Sequence, residues 1–474
     1  MSEESYPRSV YVTISQSDFD ALAALPALVE KLVRRVSELE EKLGQNSTNS
    51  SKPPSSDPPG TRKKPHRPNG QKQGGQPGHK GKGRALFEQS KVTRRESCRP
   101  ASCAGCGHDL AGVPGTTFQR AHVIDLPKII ADITEFLLQA VDCPCCGETA
   151  RGELPAHAAQ SAFGPGVIAL LANLTGRCRL SRRDAQWLLE QVLDIPIGLG
   201  TIPRLESIAS EALKPAYSEV KAQVPLASVL GVDDSAWKER KHYKVGYIAS
   251  TPGWAIIQIE DKKDHETARA FLAGFSQVLV SDRGSTYSFY QGKRQTCLSH
   301  ADRHFLCIAS RGESSRLVGR QLLDAMDQLW TSWKSYRNDK VTFEQMAESM
   351  VPIQGKIYGL LLGGTKLDIK KLENKKTAKT CGNFLKIFDT LWEFTRDPAV
   401  PPTNNDSERG LRAMVRLRKN SFGSQSESGT TFTARILTAA ETCRRRGKNL
   451  FNFLKATVQA HLTGLNCPLI LAPD

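Results

Sequence analysis

The chain has 474 residues, of which 39% are hydrophobic and 24% charged. At roughly 100–200 residues per domain this leaves room for about three domains, each with its own core. Lys and Arg number 65 against 49 Asp and Glu, a net charge of +16 that favours a polyanionic partner. No apolar run reaches the length of about 18 residues that crosses a bilayer, which argues against a membrane protein. The N-terminus MSEESYPRSVYVTISQSDFD lacks the basic-then-apolar order of a signal peptide, so a cytoplasmic location is expected. In that reducing compartment the 12 cysteines point to metal rather than to disulfides.

Residues 18–44 have the spacing of a helix with a heptad seam: Leu22, Leu25, Val29, Leu32, Val36, Leu39 and Leu43, with charged residues outside it. Such a stripe is buried either against a second copy, as a short coiled coil, or against its own protein. Pro26 is expected to trim the helix start. From 45 to 96 the chain is rich in Ser, Pro, Gly, Lys and Arg, a composition that cannot bury a core. This stretch is either a solvated linker or a basic arm that follows phosphates. Residues 97–155 carry two knuckles, CAGCG and CPCCG, each a Cys-x-x-Cys pair followed by glycine. Two such pairs suit a tetrahedral structural zinc held by Cys103, Cys106, Cys143 and Cys146, with Cys98 and Cys145 as spares. HVIDLP and ADITEFLLQAV, between the knuckles, are expected to form the ribbon strands.

Residues 160–222 have the pattern helix, turn, helix, with Ser181 and Thr201 as N-caps. The second helix is a candidate for a major groove, with Arg182, Arg183 and Arg204 as candidate DNA contacts. Plain helix packing explains the same pattern. From 226 to 303 three β-rich runs, a helix and two further strands predict an α/β unit of the ribonuclease-H kind. Residues 304–400 are mostly helical, and 401–425 and 426–474 return to helices bearing many arginines.

Two aspartates close apolar strands. Asp233 follows SVLGV and Asp282 follows QVLVS, at the sheet edge where α/β folds place ligands. Adjacent carboxylates repel unless a cation lies between them, and a pair of divalent ions can drive phosphodiester transfer. Glu408, in NNDSERGLRAMVRLRK, is the candidate third ligand. Asn405, Arg412 and Arg416 share its helical face, and Arg409 and Lys419 add cations nearby. Asp234 competes with Asp233, and Glu427 with Glu408. Cys297, His300, His304 and Cys307 offer an alternative zinc set.

In order, the chain carries the heptad helix, NSSKPPSSD, GGQPGHKG, CPCCG, GVDDS, LVSDRGSTY, CLSHADRHF and TNNDSERGLRAMVRLRKNSFGS. This series resembles the IS66 family of bacterial insertion-sequence transposases over nearly the whole chain. The resemblance implies a multidomain α/β protein: a ribonuclease-H-like catalytic core with a helical insertion, preceded by a coiled coil, a zinc ribbon and a helix-turn-helix region. It implies that Asp233, Asp282 and Glu408 are the catalytic triad and hold two magnesium or manganese ions, with His300 and Arg303 in a supporting role beside Asn405. It also implies binding to the terminal inverted repeats and target DNA, homodimers or larger assemblies, accessory proteins of the same element, and work at the nucleoid. The chain has Asp233-Asp234-Ser235 where the family usually has Asp-Glu-Thr, and Thr403-Asn404-Asn405 for Asp-Asn-Asn. Two alternatives remain: a non-catalytic DNA-binding regulator or decayed copy, and a nuclease that cuts without joining.

Overall fold

The computed structural model describes residues 15–44, 85–127 and 129–473. Most of the basic arm at 45–96 lies outside the described residues. Helix α1 spans Gln16–Gly44 and starts where the Ser15 hydroxyl accepts the Asp18 N–H at 3.1 Å. Pro26 lies inside this helix and does not trim its start. All seven seam residues, from Leu22 to Leu43, are exposed. No helix among the described residues is long and apolar enough to cross a membrane.

Strands β1 (Ala140–Asp142) and β2 (Thr149–Arg151) form a short hairpin across the second knuckle. The strands expected from HVIDLP and most of ADITEFLLQAV do not form, and Val123, Ile133 and Leu137 are exposed. Their β-branched and apolar residues meet no neighbouring strand or apolar cover there, and without cross-strand pairs strand propensity is too weak to act alone.

Helices α2 (Ala156–Gln160) and α3 (Pro165–Ala172) follow, and α3 widens into a π-turn at Asn173–Arg177. Helices α4 (Arg182–Leu193), α5 (Thr201–Ala212) and α6 (Lys214–Ala222) complete the segment. Ser181 caps α4 by accepting the Asp184 N–H, as expected. Thr201 is the first residue of α5 and not its cap; Gly200 occupies that position without a side-chain bond. The inner face of α5, including Ile202, Leu205 and Ala209, is buried, and the helix packs against α3, α13 and α14.

The sheet follows as β3 (Val229–Glu239), β4 (His242–Ser250), β5 (Ala255–Glu260), helix α7 (His265–Phe271), β6 (Val278–Ser281) and β7 (Arg294–Thr296). Its five strands lie in the order β5-β4-β3-β6-β7. The first three are antiparallel, and β6 and β7 join parallel, which agrees with a ribonuclease-H-like arrangement. The helical insertion comprises α8 (Leu298–Ala309), α9 (Glu313–Arg337), α10 (Phe343–Thr365) and α11 (Leu372–Lys386). Position 304, expected to open the insertion, falls inside α8. Helices α12 (Asn405–Ser421), α13 (Glu427–Arg446) and α14 (Leu450–Thr463) end the fold.

Strand β6 separates two cores. Leu279 belongs to the core beneath α3–α6, α13 and α14, while its neighbours Val278 and Val280 join the insertion's core. Both sheet edges are covered. On β5 the Thr438 and Thr442 hydroxyls of α13, one turn apart, accept the N–H groups of Ile257 and Ala255 at 2.9 and 3.2 Å. Beside β7 the Gln295 amide donates to Leu391 O at 3.1 Å and accepts the Phe394 N–H at 2.9 Å. An edge sealed in this way offers no ladder to another chain.

Helix α12 lies on β3 and β4 through missing side chains. A Cβ on Gly231 would strike the Ser407 hydroxyl, one on Gly246 the Met414 sulfur, and one on Gly410 the Ile248 side chain. Gly231→Ala is therefore expected to lift α12 and destabilise the protein by about 1–3 kcal/mol. Gly253→Ala, which meets no atom within 4 Å, is expected to cost under about 0.5 kcal/mol. Urea denaturation of both variants checks this.

Candidate active site

Asp233 lies in mid-strand, not at a strand end as expected, because β3 continues to Glu239 along β4. Its pairing with β6 stops at Gly231↔Val280, and two residues further on Asp233 lies level with Asp282, just beyond β6. Parallel neighbours are about 4.8 Å apart, so the two carboxylates share one corner of the sheet. Alternation assigns the faces. Gly231 and Ser235 meet Ser407 and Arg418 of α12, so Asp233, between them in register, belongs to that face. Asp234 points the other way and is ion-paired with Lys263.

Glu408, in the first turn of α12, belongs to the helix that covers that face. Its Oε1 is buried, makes no hydrogen bond and lies 3.8 Å from His300 Nδ1, itself buried and unbonded. Burial holds the Asp233 carboxyl well above its ordinary range, and the charges of Asp282, Glu408 and Asp234 add to the effect in that order. The charge effects on Asp233 bring the three acids into one neighbourhood, where a divalent cation would relieve their repulsion. Among the described residues, however, the ligand atoms that gather within 4.8 Å are those of Glu408, Cys297 and His300, and Asp233 and Asp282 do not close on Glu408 as one set. The competing acid Glu427 is exposed at the start of α13, apart from this corner.

Hydrogen bonds hold the geometry. Asp282 Oδ1 accepts the Gly284 N–H at 2.8 Å. Asn404 is buried and donates from its amide to Val232 O at 2.6 Å, while its N–H reaches Cys297 Sγ at 3.2 Å. The sequence showed Asn404 within Thr403-Asn404-Asn405 but gave it no role. Asn405, its neighbour, meets Ser299 Oγ at 3.5 Å. Arg283 and Arg294, also missed, are buried enough to be pushed below their usual range, and Asp282 offsets this in both.

The alternative zinc set does not assemble. Cys297 and His300 meet Glu408, with ligand atoms within 4.8 Å of one another. His304 turns instead to Arg283 at 3.2 Å and to the Phe384 ring, and Cys307 faces Arg311. Burial is the first cause that lowers His300, with Glu408 opposing it, and burial with Arg283 takes His304 down to about 4. Arg303 adds to the positive field on both rings. Asp302, its neighbour, is pushed up to about 7 by burial and accepts the Trp330 indole N–H at 2.8 Å.

The expected DNA contacts fall into two groups. Arg409, Arg412, Arg416 and Lys419 are exposed on α12. In the α4–α5 pair Arg183 is exposed, but Arg182 forks onto buried Glu206 at 2.6 and 3.1 Å and Arg204 bonds Gln160 O at 2.9 Å. Those two arginines tie helices together.

The two knuckles are built alike. In each, the first Cys N–H bonds the carbonyl five residues on, the following Gly N–H returns to the first Cys, and Gly107 and Gly147 take φ of 75° and 74°. Backbone N–H groups, led by Gly105 for Cys103 and Cys146 for Cys143, lower both thiols and favour the thiolate a metal requires. Among the described residues the four sulfurs do not gather into one set. Each turn fits half of a zinc site.

This is a mixed α/β protein whose sheet gathers carboxylates at one corner beside a cationic helix. The profile of the Transposase IS66 family matches residues 161–431, more than half of the chain, and the chain belongs to that family. Residues 11–85 match a second profile, a Family of unknown function (DUF6444). Among curated proteins, Uncharacterized protein y4qI of Sinorhizobium fredii is 25% identical over 45% of this chain and 41% of its own length. Uncharacterized protein y4hP of the same organism is 23% identical over 73% of this chain and 68% of its own.

Replacing Asp233 by Asn removes a buried charge from this repulsive corner. In EDTA the variant is expected to melt about 2–4 °C above wild type, and manganese should raise wild type more than the variant. Thermal melts with and without the ion test this; equal melting in EDTA would contradict the repulsion.

Proposed function

We propose that the protein is a DNA transposase of the two-aspartate, one-glutamate type, with Asp233, Asp282 and Glu408 as its catalytic carboxylates on a ribonuclease-H-like core. The observation that carries this reading is the buried, unbonded Glu408 oxygen, on the helix that packs over β3 where Asp233 stands level with Asp282. These three side chains would hold two magnesium or manganese ions. When bound, such ions activate a water or 3′-hydroxyl and stabilise the leaving oxygen in phosphodiester transfer. His300 lies 3.8 Å from the inner oxygen of Glu408, and burial lowers its pKa, which disfavours a competing cation there. Arg409, Arg412, Arg416 and Lys419 neutralise phosphates beside the scissile bond. The reaction would free a 3′ end at the element terminus and join it to target DNA without a covalent enzyme intermediate.

The other parts serve the same task in this reading. The seam of α1 pairs protomers, so that two element ends are held together. A zinc on Cys103, Cys106, Cys143 and Cys146 would bring the two knuckles into one rigid unit for reading the terminal inverted repeats, with the arm at 45–96 along the backbone. The site of work is the nucleoid, alongside accessory proteins of the same element.

Incubation with labelled DNA carrying the element's ends tests the chemistry. Wild type should nick at the 3′ end and join strands only with magnesium or manganese, and Asp282→Asn and Glu408→Gln should lower both by at least about 1,000-fold. Binding without cutting by wild type would favour the regulator reading; cutting without joining would favour a nuclease. Native mass spectrometry should find one zinc per chain, lost in Cys103→Ser/Cys106→Ser. Folded, zinc-free wild type would remove the knuckle assignment.

A further inference from the structure

An open cleft of about 290 Å³ lies where the turn after α3 meets α12 and α13. It is lined by Arg177 and Arg179 from the turn, Arg409, Arg412 and Arg416 from α12, and Arg444 from α13, with Glu441 as its one acid. That acid is already engaged: Arg444 grips both oxygens and Arg445 reaches Oε1 at 3.2 Å. Arg409 has only a 3.4 Å contact to Asp406. Among the described residues Arg177, Arg179, Arg412 and Arg416 have no acidic partner. Four like charges facing one concavity repel one another, and an anion is the missing member of the set.

The turn is a firm platform. Cys178 and Leu180 N–H bond back to Asn173 and Leu174 at 2.8 and 3.0 Å. Gly176 lies so close to Ile436 of α13 that a Cβ would collide. Arg179 has φ of 65°, a left-handed backbone that fixes where its side chain departs. On α12 the arginines run from the residue next to Glu408 for two turns, about 10 Å. That length matches the axial rise of roughly three phosphates of one DNA strand.

We propose that this cleft, beside the carboxylate corner, is a DNA-backbone subsite in which Arg177 and Arg179 act as positioning residues for phosphates flanking the scissile bond. The inference rests on the reading above that the substrate is DNA, and adds to the α12 arginines two from the turn, Arg177 and Arg179, that the sequence motifs did not mark. Guanidinium forks suit phosphate oxygens, and anchoring several phosphates on a rigid turn sets which phosphodiester meets the carboxylates.

The test compares full-length wild type with Arg177→Gln/Arg179→Asn, asparagine being tolerant of the left-handed backbone. Anisotropy with a labelled duplex of about 30 base pairs, in EDTA, is read between about 50 and 200 mM salt. Two lost phosphate contacts should flatten the slope of log K against log salt by about 1.8, so wild type loses roughly tenfold more affinity than the variant over that range. Arg320→Gln, an exposed arginine on α9, should keep the wild-type slope. An unchanged slope in a double variant that melts like wild type overturns the proposal, as does an equal flattening in Arg320→Gln. Wild type that takes up inorganic phosphate in the cleft while the slopes stay equal assigns a free anion instead, and also overturns it. A slope difference in protein that never cuts DNA keeps the subsite while the transposase chemistry fails; cutting with equal slopes removes the subsite alone.

Discussion

The arrangement depends on holding like charges together where water is scarce. Two carboxylates about 4 Å apart repel by roughly 4 kcal/mol at the effective dielectric of a protein surface, and more when buried. The sheet register brings Asp233 level with Asp282, and α12 then carries Glu408 toward the same corner. Without a cation this corner would push α12 away. The helix stays because its contact with β3 and β4 is made close by Gly231, Gly246 and Gly410 and is pinned by polar bonds. Ser250 and Ser407 share a buried hydroxyl contact at 2.9 Å, and Asn404 straps the helix start to Val232. The packing that looks purely structural is what keeps the acidic corner assembled.

The insertion forms a wall of that corner. Helix α8 supplies His300 opposite Glu408, and α8 is fixed in turn by Asp302, whose carboxylate takes the Trp330 N–H of α9. Leu298 N–H bonds Pro402 O at 3.0 Å, joining the start of the insertion to the segment that leads into α12. Residues far apart in the chain thus close one ring around Glu408. Because β6 places Leu279 in one core and Val278 and Val280 in the other, a shift of the insertion would be felt at the strand that ends in Asp282.

How much the sequence disclosed varies with the range of the interaction. Strand alternation and apolar runs made the five strands legible, and the helices after Leu298 followed from their periodicity. The choice between Asp233 and Asp234 was not legible, since both follow the same apolar run and only the β4 and β6 registers assign them to faces. That Asp233 lies in mid-strand was equally hidden, because the pairing that extends β3 comes from β4. The ribbon between the knuckles shows the opposite error: its residues favour strands, yet a strand needs a neighbour and none is supplied. Asn404 and Arg283 lie in motifs the sequence showed, but their roles exist only through contacts across more than 100 residues, and Arg177 carries no local signature because its role exists only within a folded cleft.

Charge placement, more than total charge, distinguishes this surface. An acidic corner alone would repel a phosphate backbone, and a basic surface alone would bind DNA in any register. Helix α12 combines the two within little more than a turn, with Glu408 half-buried and Arg409 and Arg412 exposed. Its dipole favours the same order, since Asp406 and Glu408 lie in the first turns and Arg418 and Lys419 in the last. In the proposed reading a DNA backbone would be drawn to these arginines and would meet the carboxylates beside them, where a divalent cation would offset the repulsion. In that reading DNA position and metal occupancy would be parts of the same electrostatic problem, because each phosphate brought to the corner would add a charge for a cation to share.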